Sequence, residues 1–248
     1  MTPPVFLVGT ADLTPGPDTT VTVAGPEGRH AAMVRRIREG EVVDLSDGAG
    51  LRARATVVGA GKDSIDCRLG EVHTEPEPRP RLTVVQALPK GDRGELAVEM
   101  MTEAGVETVV PWAAERCVTR WKGPRTQKSL DKWRNTAREA AKQARRSRVP
   151  EVADPADRRT VADLLGDATL AVVLHEDADR TLATMELPED TGAHIVLVVG
   201  PEGGFSRTEL EAFDEVGAVR ALLGPSVLRT STAGVAALSV LQARTGRW

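Results

Sequence analysis

The sequence predicts an α/β chain, with a small β-rich amino-terminal domain ahead of a larger, mostly parallel sheet covered by helices. Three observations predict it. Short alternating segments fill residues 1–72, a proline-rich stretch follows, and from residue 82 continuous apolar runs alternate with helical patterns. Apolar runs of that kind are strands buried on both faces, which parallel sheets require. With 248 residues the chain can bury a sizeable core in one or two domains.

In the first domain the predicted strands are "VFLVG", "TVTVAG", "EVVDLSDG", "RARATVVG" and "SIDCRLGEV", several of them punctuated by Gly or Asp-Gly. A helical insert, "GRHAAMVRRIREG", interrupts them and carries His30, Arg35, Arg36 and Arg38. "GAGKDS" at 59–64 resembles a phosphate-binding loop, but Asp63 stands where Ser or Thr is needed, so it reads as a hairpin turn. "HTEPEPRPR" at 73–81 has three prolines and alternating charges and reads as a linker.

The second domain, 82–248, opens on the strand "RLTVVQAL". A helix over "GDRGELAVEMMTEAG" follows, its start marked by Asp92 with Glu95 three positions on. "ETVVPW" is a strand, and 127–147 is a long helix with an apolar stripe of Leu130, Trp133, Ala137, Ala140 and Ala144. "ATLAVVLHE", "AHIVLVVG" and "AVRALLG" are further strands, the last two each followed by a helix. Ser206 and Glu209 have the spacing of a capping box at the start of the first of those helices.

Charge is unevenly spread. Residues 1–80 carry a balance of −3, residues 81–150 one of +7, and residues 151–248 one of −8. The middle third is where a polyanion would sit, although the cations of the long helix are equally those of a solvated face. No apolar run is long enough for a membrane span, and no signal peptide is evident. Cys67 and Cys117, 50 residues apart, read as reduced thiols of a cytoplasmic protein. Four scattered histidines argue against a metal centre, so no metal is expected.

The chemistry is expected in two loops. "LVVGPEGGFSRTEL" and "ALLGPSVLRTSTAGVAAL" both run from an apolar strand through Gly-Pro into a helix. Ligands of open α/β sheets bind beyond the carboxyl ends of strands, where these loops lie. Gly200, Gly203 and Gly204 would let a flat ligand reach main-chain N–H and C=O groups. Neither a dinucleotide GxGxxG nor a GxSxG nucleophile elbow is present.

These two motifs resemble the signature of the RsmE family, ribosomal RNA uridine N3-methyltransferases of the SPOUT class. "RHAAMVRRIREGEVVDLSDGAG", "VVQALPKGDRGELAVEMMTEAGV", "AERCV" and "RVPEV" fall in the family's order, so the resemblance spans nearly the whole chain. It implies a PUA-like first domain and a SPOUT-type second domain whose chain end threads a deep trefoil knot. It also implies S-adenosylmethionine as cofactor, cradled by Leu174, His175, Val199, Gly200, Pro201, Glu202, Gly203, Leu223, Gly224, Val227, Leu228, Arg229, Thr230 and Thr232.

The implied partners are 16S ribosomal RNA in the small subunit and a second copy of the chain, paired near the knot. "TAGVAALSVLQA" is apolar around much of its circumference, as a pairing helix would be. RNA contacts are expected from His30, Arg36, Arg116, Lys142, Arg145, Arg146 and Arg148. For catalysis, Glu202 is either the acceptor of the N3 proton or a carboxylate bonding loop N–H groups, and Arg229 either a cation for the uracilate oxygens or a loop brace. Ribose 2′-O methylation and a non-catalytic ribosome-assembly role are the alternatives. Two departures from the family pattern stand out: Pro3 and Pro4 where an arginine is common, and "KQARR" at the helix end.

Overall fold

Burial alternates along three of the five strands in the first 77 residues. The computed structural model describes residues 2–190 and 192–248 and divides into two compact units. The first is Met1–Glu77 with Ala141–Val149, the second Pro78–Ala140 with Pro150–Trp248.

In the first unit β1 (Val5–Leu7), β2 (Thr20–Val23), β3 (Val42–Ser46), β4 (Leu51–Ala60) and β5 (Ile65–Thr74) form one sheet in the order β1-β3-β4-β5-β2. Only β1 and β3 are parallel. Ala53, Ala55 and Val57 of β4 and Ile65, Cys67 and Leu69 of β5 point inwards, every second residue, while Arg54 and Arg68 point out. "GAGKDS" is the hairpin turn between β4 and β5, closed by the Gly61 amide donating to the Ser64 carbonyl at 2.9 Å.

A short α1 (Thr10–Leu13) was not legible in the sequence. The helical insert is two pieces rather than one: α2 (Gly25–Arg29) and a π-helical turn over His30–Val34, in which the Arg35 amide reaches the His30 carbonyl at 2.9 Å. A Cβ on Gly28 would lie 2.4 Å from the Val23 carbonyl oxygen, so a glycine is required there. The expected linker is shorter than 73–81, because β5 runs to Thr74 and the next strand begins at Arg81.

The second unit is a six-stranded, wholly parallel sheet. Its strands are β6 (Arg81–Ala87), β7 (Thr108–Trp112), β8 (Glu151–Val152), β9 (Leu170–Leu174), β10 (His194–Val199) and β11 (Val219–Ala221), in the order β11-β9-β10-β6-β7-β8. Central β10 buries Ile195 to Val199 without interruption, the continuous apolar run that two covered faces demand. The helices are α3 (Arg93–Glu103), α4 (Pro124–Gln143), α5 (Arg158–Gly166), α6 (Arg207–Glu215) and α7 (Thr230–Arg244). The two-residue β8 and helix α5 were missed in the sequence, although Asp157 caps α5 by accepting from the Thr160 amide at 2.9 Å.

Two local expectations are corrected. Asp92 makes no side-chain cap on α3, and Glu95 instead pairs with Lys132 at 2.9 Å. The long helix α4 ends at Gln143, not 147: Arg145 takes a left-handed φ of 58° and the Arg146 amide closes onto the Ala141 carbonyl. Ala144 therefore falls off the apolar stripe and is exposed, while Ala141 is buried. By contrast the capping box of α6 forms as expected, Ser206 Oγ accepting the Glu209 amide at 3.1 Å and Glu209 Oε2 the Ser206 amide at 2.7 Å.

After β11 the chain pairs with the β9–β10 connection. The Leu222 amide donates to the Arg180 carbonyl at 2.7 Å, and the Leu182 amide to the Leu222 carbonyl at 2.8 Å. It then returns as α7, whose Thr230 carbonyl accepts from Gln86 Nε2 of β6 at 3.3 Å.

Candidate cofactor site

Three strands end at one cavity. The turn after β9, the Gly-Pro-Glu-Gly-Gly loop after β10 and the Gly-Pro loop after β11 together wall a cleft of about 1050 Å³. Parallel strands deliver their carboxyl ends to the same side, so loops distant in sequence converge there.

The β10 loop is shaped by contacts to its own side chains. A Cβ on Gly200 would fall 2.6 Å from the Phe205 ring, which stacks on Trp112 at 5.8 Å between centroids. Gly204 has a φ of 69°, a left-handed conformation that glycine adopts without strain. Gly203 is pressed from the other side, since a Cβ there would lie 3.1 Å from both Cβ and the carbonyl oxygen of Arg116, and Arg116 Nη1 donates to the Gly203 carbonyl at 3.2 Å. Glu202 Oε1 accepts the Lys90 amide at 3.3 Å and lies 3.5 Å from Arg93 Nη1.

The β11 loop is open by comparison. Nothing lies within 4 Å of a Cβ built on Gly224, and Val227 and Leu228 are 77% and 40% exposed. Apolar side chains left exposed on a concave wall are the lining that small-molecule pockets have. Arg229 caps α7 in extended conformation, its side chain exposed and without an ion-pair partner among the described residues. On the third wall His175 lies 5.8 Å from the Phe205 ring, and its Nδ1 accepts the Asp177 amide at 3.1 Å, which fixes the ring and leaves Nε2–H as the donor.

Of the expected cradle residues, Leu174, His175, Val199 to Gly203, Leu223, Gly224 and Val227 to Thr230 all line the cavity. Thr232 does not: its hydroxyl turns back to the Arg229 carbonyl at 3.1 Å, inside the first turn of α7. Sequence reasoning missed Arg93, Phe205 and Arg220 in the wall, of which the first two lie within motifs already singled out.

An RNA methyltransferase domain family matches residues 75–242, and the PUA domain of RNA methyltransferases matches residues 23–70. The ribosomal RNA small subunit methyltransferase E of Mycobacterium tuberculosis is 43% identical over 241 residues, covering 96% of this chain and 91% of that protein. The chain belongs to the ribosomal RNA small subunit methyltransferase E family. The Bacillus subtilis member of this family is 30% identical over 234 residues, 91% of each chain. The fold agrees with a solved family member from Neisseria gonorrhoeae bound to S-adenosyl methionine, at a TM-score of 0.85, 26% identity and 98% coverage of both chains. A Legionella pneumophila methyltransferase in complex with the same cofactor matches at a TM-score of 0.86, 27% identity and 98% coverage of both.

The residues expected to contact RNA separate. Arg36 and Arg145 are exposed, both with left-handed backbone, at φ 53° and 58°. His30 is half-buried, edge-on to Phe6 at 6.2 Å, and Arg146 is half-buried. Two expectations are revised. Lys142 is only 8% exposed and pairs with Glu27 at 2.9 Å, so it is a structural cation rather than a phosphate ligand. Arg148 is held by the Glu75 carbonyl at 2.9 Å and packed against Gly50, where a Cβ would come within 2.4 Å of Nη2. Arg116 is exposed and lines the cleft.

Both cysteines are free and buried. Burial, with a smaller contribution from Asp66, pushes the Cys67 thiol up to about 12, and burial also raises Cys117, so neither is a thiolate at neutral pH. No helix among the described residues is long and apolar enough to cross a membrane.

Proposed function

We propose that this chain is an S-adenosylmethionine-dependent methyltransferase acting on N3 of a specific uridine in 16S ribosomal RNA of the small subunit. The single observation that carries the cofactor is the cavity at the carboxyl ends of β9, β10 and β11, with its open Gly224 and exposed Val227 and Leu228. The base and the position on it are what the resemblance of the sequence motifs implies.

When bound, the sulfonium supplies an electrophilic methyl group. The chain's own residues do the rest. Gly200 to Gly204, held against Phe205 and Arg116, form one wall, Leu223 to Arg229 a second, and Leu174 to Asp177 the third. The exposed Arg229 guanidinium, at the wall of the cleft, would offset the charge that develops on the uracil oxygens as N3 loses its proton. Glu202 has two tasks in this reading. Its Oε1 binds Lys90 and Arg93 and braces the loop, while Oε2, without a partner among the described residues, accepts the N3 proton.

The return of the chain from Leu222, paired with the β9–β10 connection, to α7 supports the threaded, knotted path that the resemblance implies. Half-buried Ala233, Val235, Ala236 and Val240 on α7 support pairing of two copies along that helix. Sedimentation at micromolar concentration tests the pairing, and a monomer with full activity would overturn it.

Nucleoside mass spectrometry of a 16S ribosomal RNA transcript, incubated with enzyme and S-adenosylmethionine, tests the chemistry. The expected product is 3-methyluridine. A 2′-O-methylated nucleoside would move the protein to ribose methylation, and cofactor binding without any methylated product would leave an RNA-binding assembly factor.

A further inference from the structure

A second cavity, of about 200 Å³, is lined by residues that lie beside those of the cleft in sequence. Residues 89–94 and 115–121 contribute to both. Arg93 and Arg116 face the cofactor cleft, while Gly91, Gly94, Thr119 and Arg120 face the smaller cavity. The two cavities therefore draw on the same two chain segments.

Its chemistry is that of a base platform. Trp121, half-buried, meets Trp133 edge-on with centroids 5.1 Å apart, and both line the cavity. Trp133 is only 2% exposed, and no hydrogen bond is formed by its indole N–H to any of the described residues. That N–H edge lies against Gly94, where a Cβ would come within 2.8 Å of Nε1. An indole donor beside a cavity asks for an acceptor, such as the carbonyl or ring nitrogen of a base.

The walls are fixed before any ligand arrives. Arg120 donates to the Ala114 and Glu115 carbonyls at 2.9 and 2.6 Å, and Thr119 Oγ1 donates to the Pro89 carbonyl at 2.7 Å. Around them the chain is strongly basic. Arg116, Arg120, Lys122, Arg125 and Lys128 fall between Glu115 and Asp131 with no carboxylate among them. Arg125 is exposed and has no ion-pair partner among the described residues. Cations interleaved with an aromatic pair are what single-stranded RNA binds, phosphates on the charges and a base on the ring. The volume falls below the roughly 300 Å³ at which pockets for whole small molecules begin, so it suits a base rather than a complete nucleotide.

We propose that the Trp121–Trp133 cavity receives an unstacked base of the RNA strand adjoining the methylated uridine, with Arg125 on its phosphate. The inference rests on the proposed RNA substrate. It explains how one nucleotide is held out for reaction: the neighbouring base is anchored by the same chain segments that carry Arg93 and Arg116 into the cleft.

The test is equilibrium binding of an unmethylated 16S ribosomal RNA transcript to the full-length protein, with cofactor affinity measured separately by calorimetry. Trp121→Ala removes the platform, and Ser129→Phe fills the cavity while keeping both indoles. Each is expected to weaken transcript binding about 10-fold, in the range given by loss of one base–aromatic stack, with S-adenosylmethionine affinity unchanged. Trp121→Phe should restore most of the loss. A folded Ser129→Phe protein that binds the transcript like wild type overturns the base site, even where the wild type still methylates. Wild type that binds the transcript, loses affinity in both variants and yet transfers no methyl group upholds the base site and overturns the proposed reaction instead. Wild type that does not bind the transcript overturns the base site outright.

Discussion

Glu209 Oε1 accepts the Glu115 amide at 2.7 Å, while Oε2 of the same carboxylate accepts the Ser206 amide. One fully buried side chain thus caps α6 and holds down the loop that carries Arg116 to the cofactor wall. Glu209→Ala would leave two N–H groups without acceptors and remove half of a capping box. The expected loss is about 2–4 kcal/mol, read as a lower urea midpoint at unchanged slope. An unaltered midpoint would mean that water replaces both bonds without cost.

Gly224→Val tests the cofactor cavity with the least disturbance to the fold. Its Cβ position is open, so the variant is expected to melt like wild type and to lose S-adenosylmethionine binding in calorimetry. Gly200→Val is a poor substitute, because it drives into the Phe205 ring, and Gly203→Val drives into Arg116. Retained affinity in folded Gly224→Val would remove the β11 loop from the cradle.

Charge removal should separate structural cations from RNA-binding ones. Lys142→Met strands Glu27, which is itself largely buried, and is expected to cost on the order of 3 kcal/mol of stability. Arg36→Ala with Arg145→Ala should leave stability nearly unchanged. That double variant is expected to flatten the slope of log affinity against log salt by about 2, roughly one counterion for each phosphate that is no longer neutralised. Equal slopes in wild type and double variant would return both arginines to the solvated surface.

His194 sets an acid limit. Burial, reinforced by Arg81, lowers its pKa to about 4. Arg81 Nη2 can only donate, so at 3.0 Å it fixes Nδ1 as the acceptor, and Nε2–H donates to Thr83 Oγ1 at 2.9 Å. The unfolded chain binds a proton below about 6.5 and the folded chain only below about 4, so stability is complete above 6.5 and falls between those values. Melting temperature followed from pH 7 to 4 should drop more steeply in wild type than in His194→Gln. Parallel curves would show that other groups govern the acid transition.

Most of the element order was legible from residue types alone. Hydrophobic period separates the alternating strands of the first 74 residues from the continuous strands β6, β7, β9 and β10, because a strand open on one face and a strand covered on both need different sequences. The Ser206–Glu209 box was readable because its partners are three residues apart. What tertiary structure decided involves partners far along the chain. Asp92 and Glu95 have the same local spacing, yet Lys132 claims Glu95, and no local pattern reports that competition. Lys142 looked like surface charge until Glu27, 115 residues away, buried it. The Gly-Pro loops pointed to the walls of the cleft, but only the parallel sheet order brings β9, β10 and β11 to one cavity. Spacing is a property of neighbours and sequence records it. Burial and convergence are set by distant segments, and they exist only once the chain has folded.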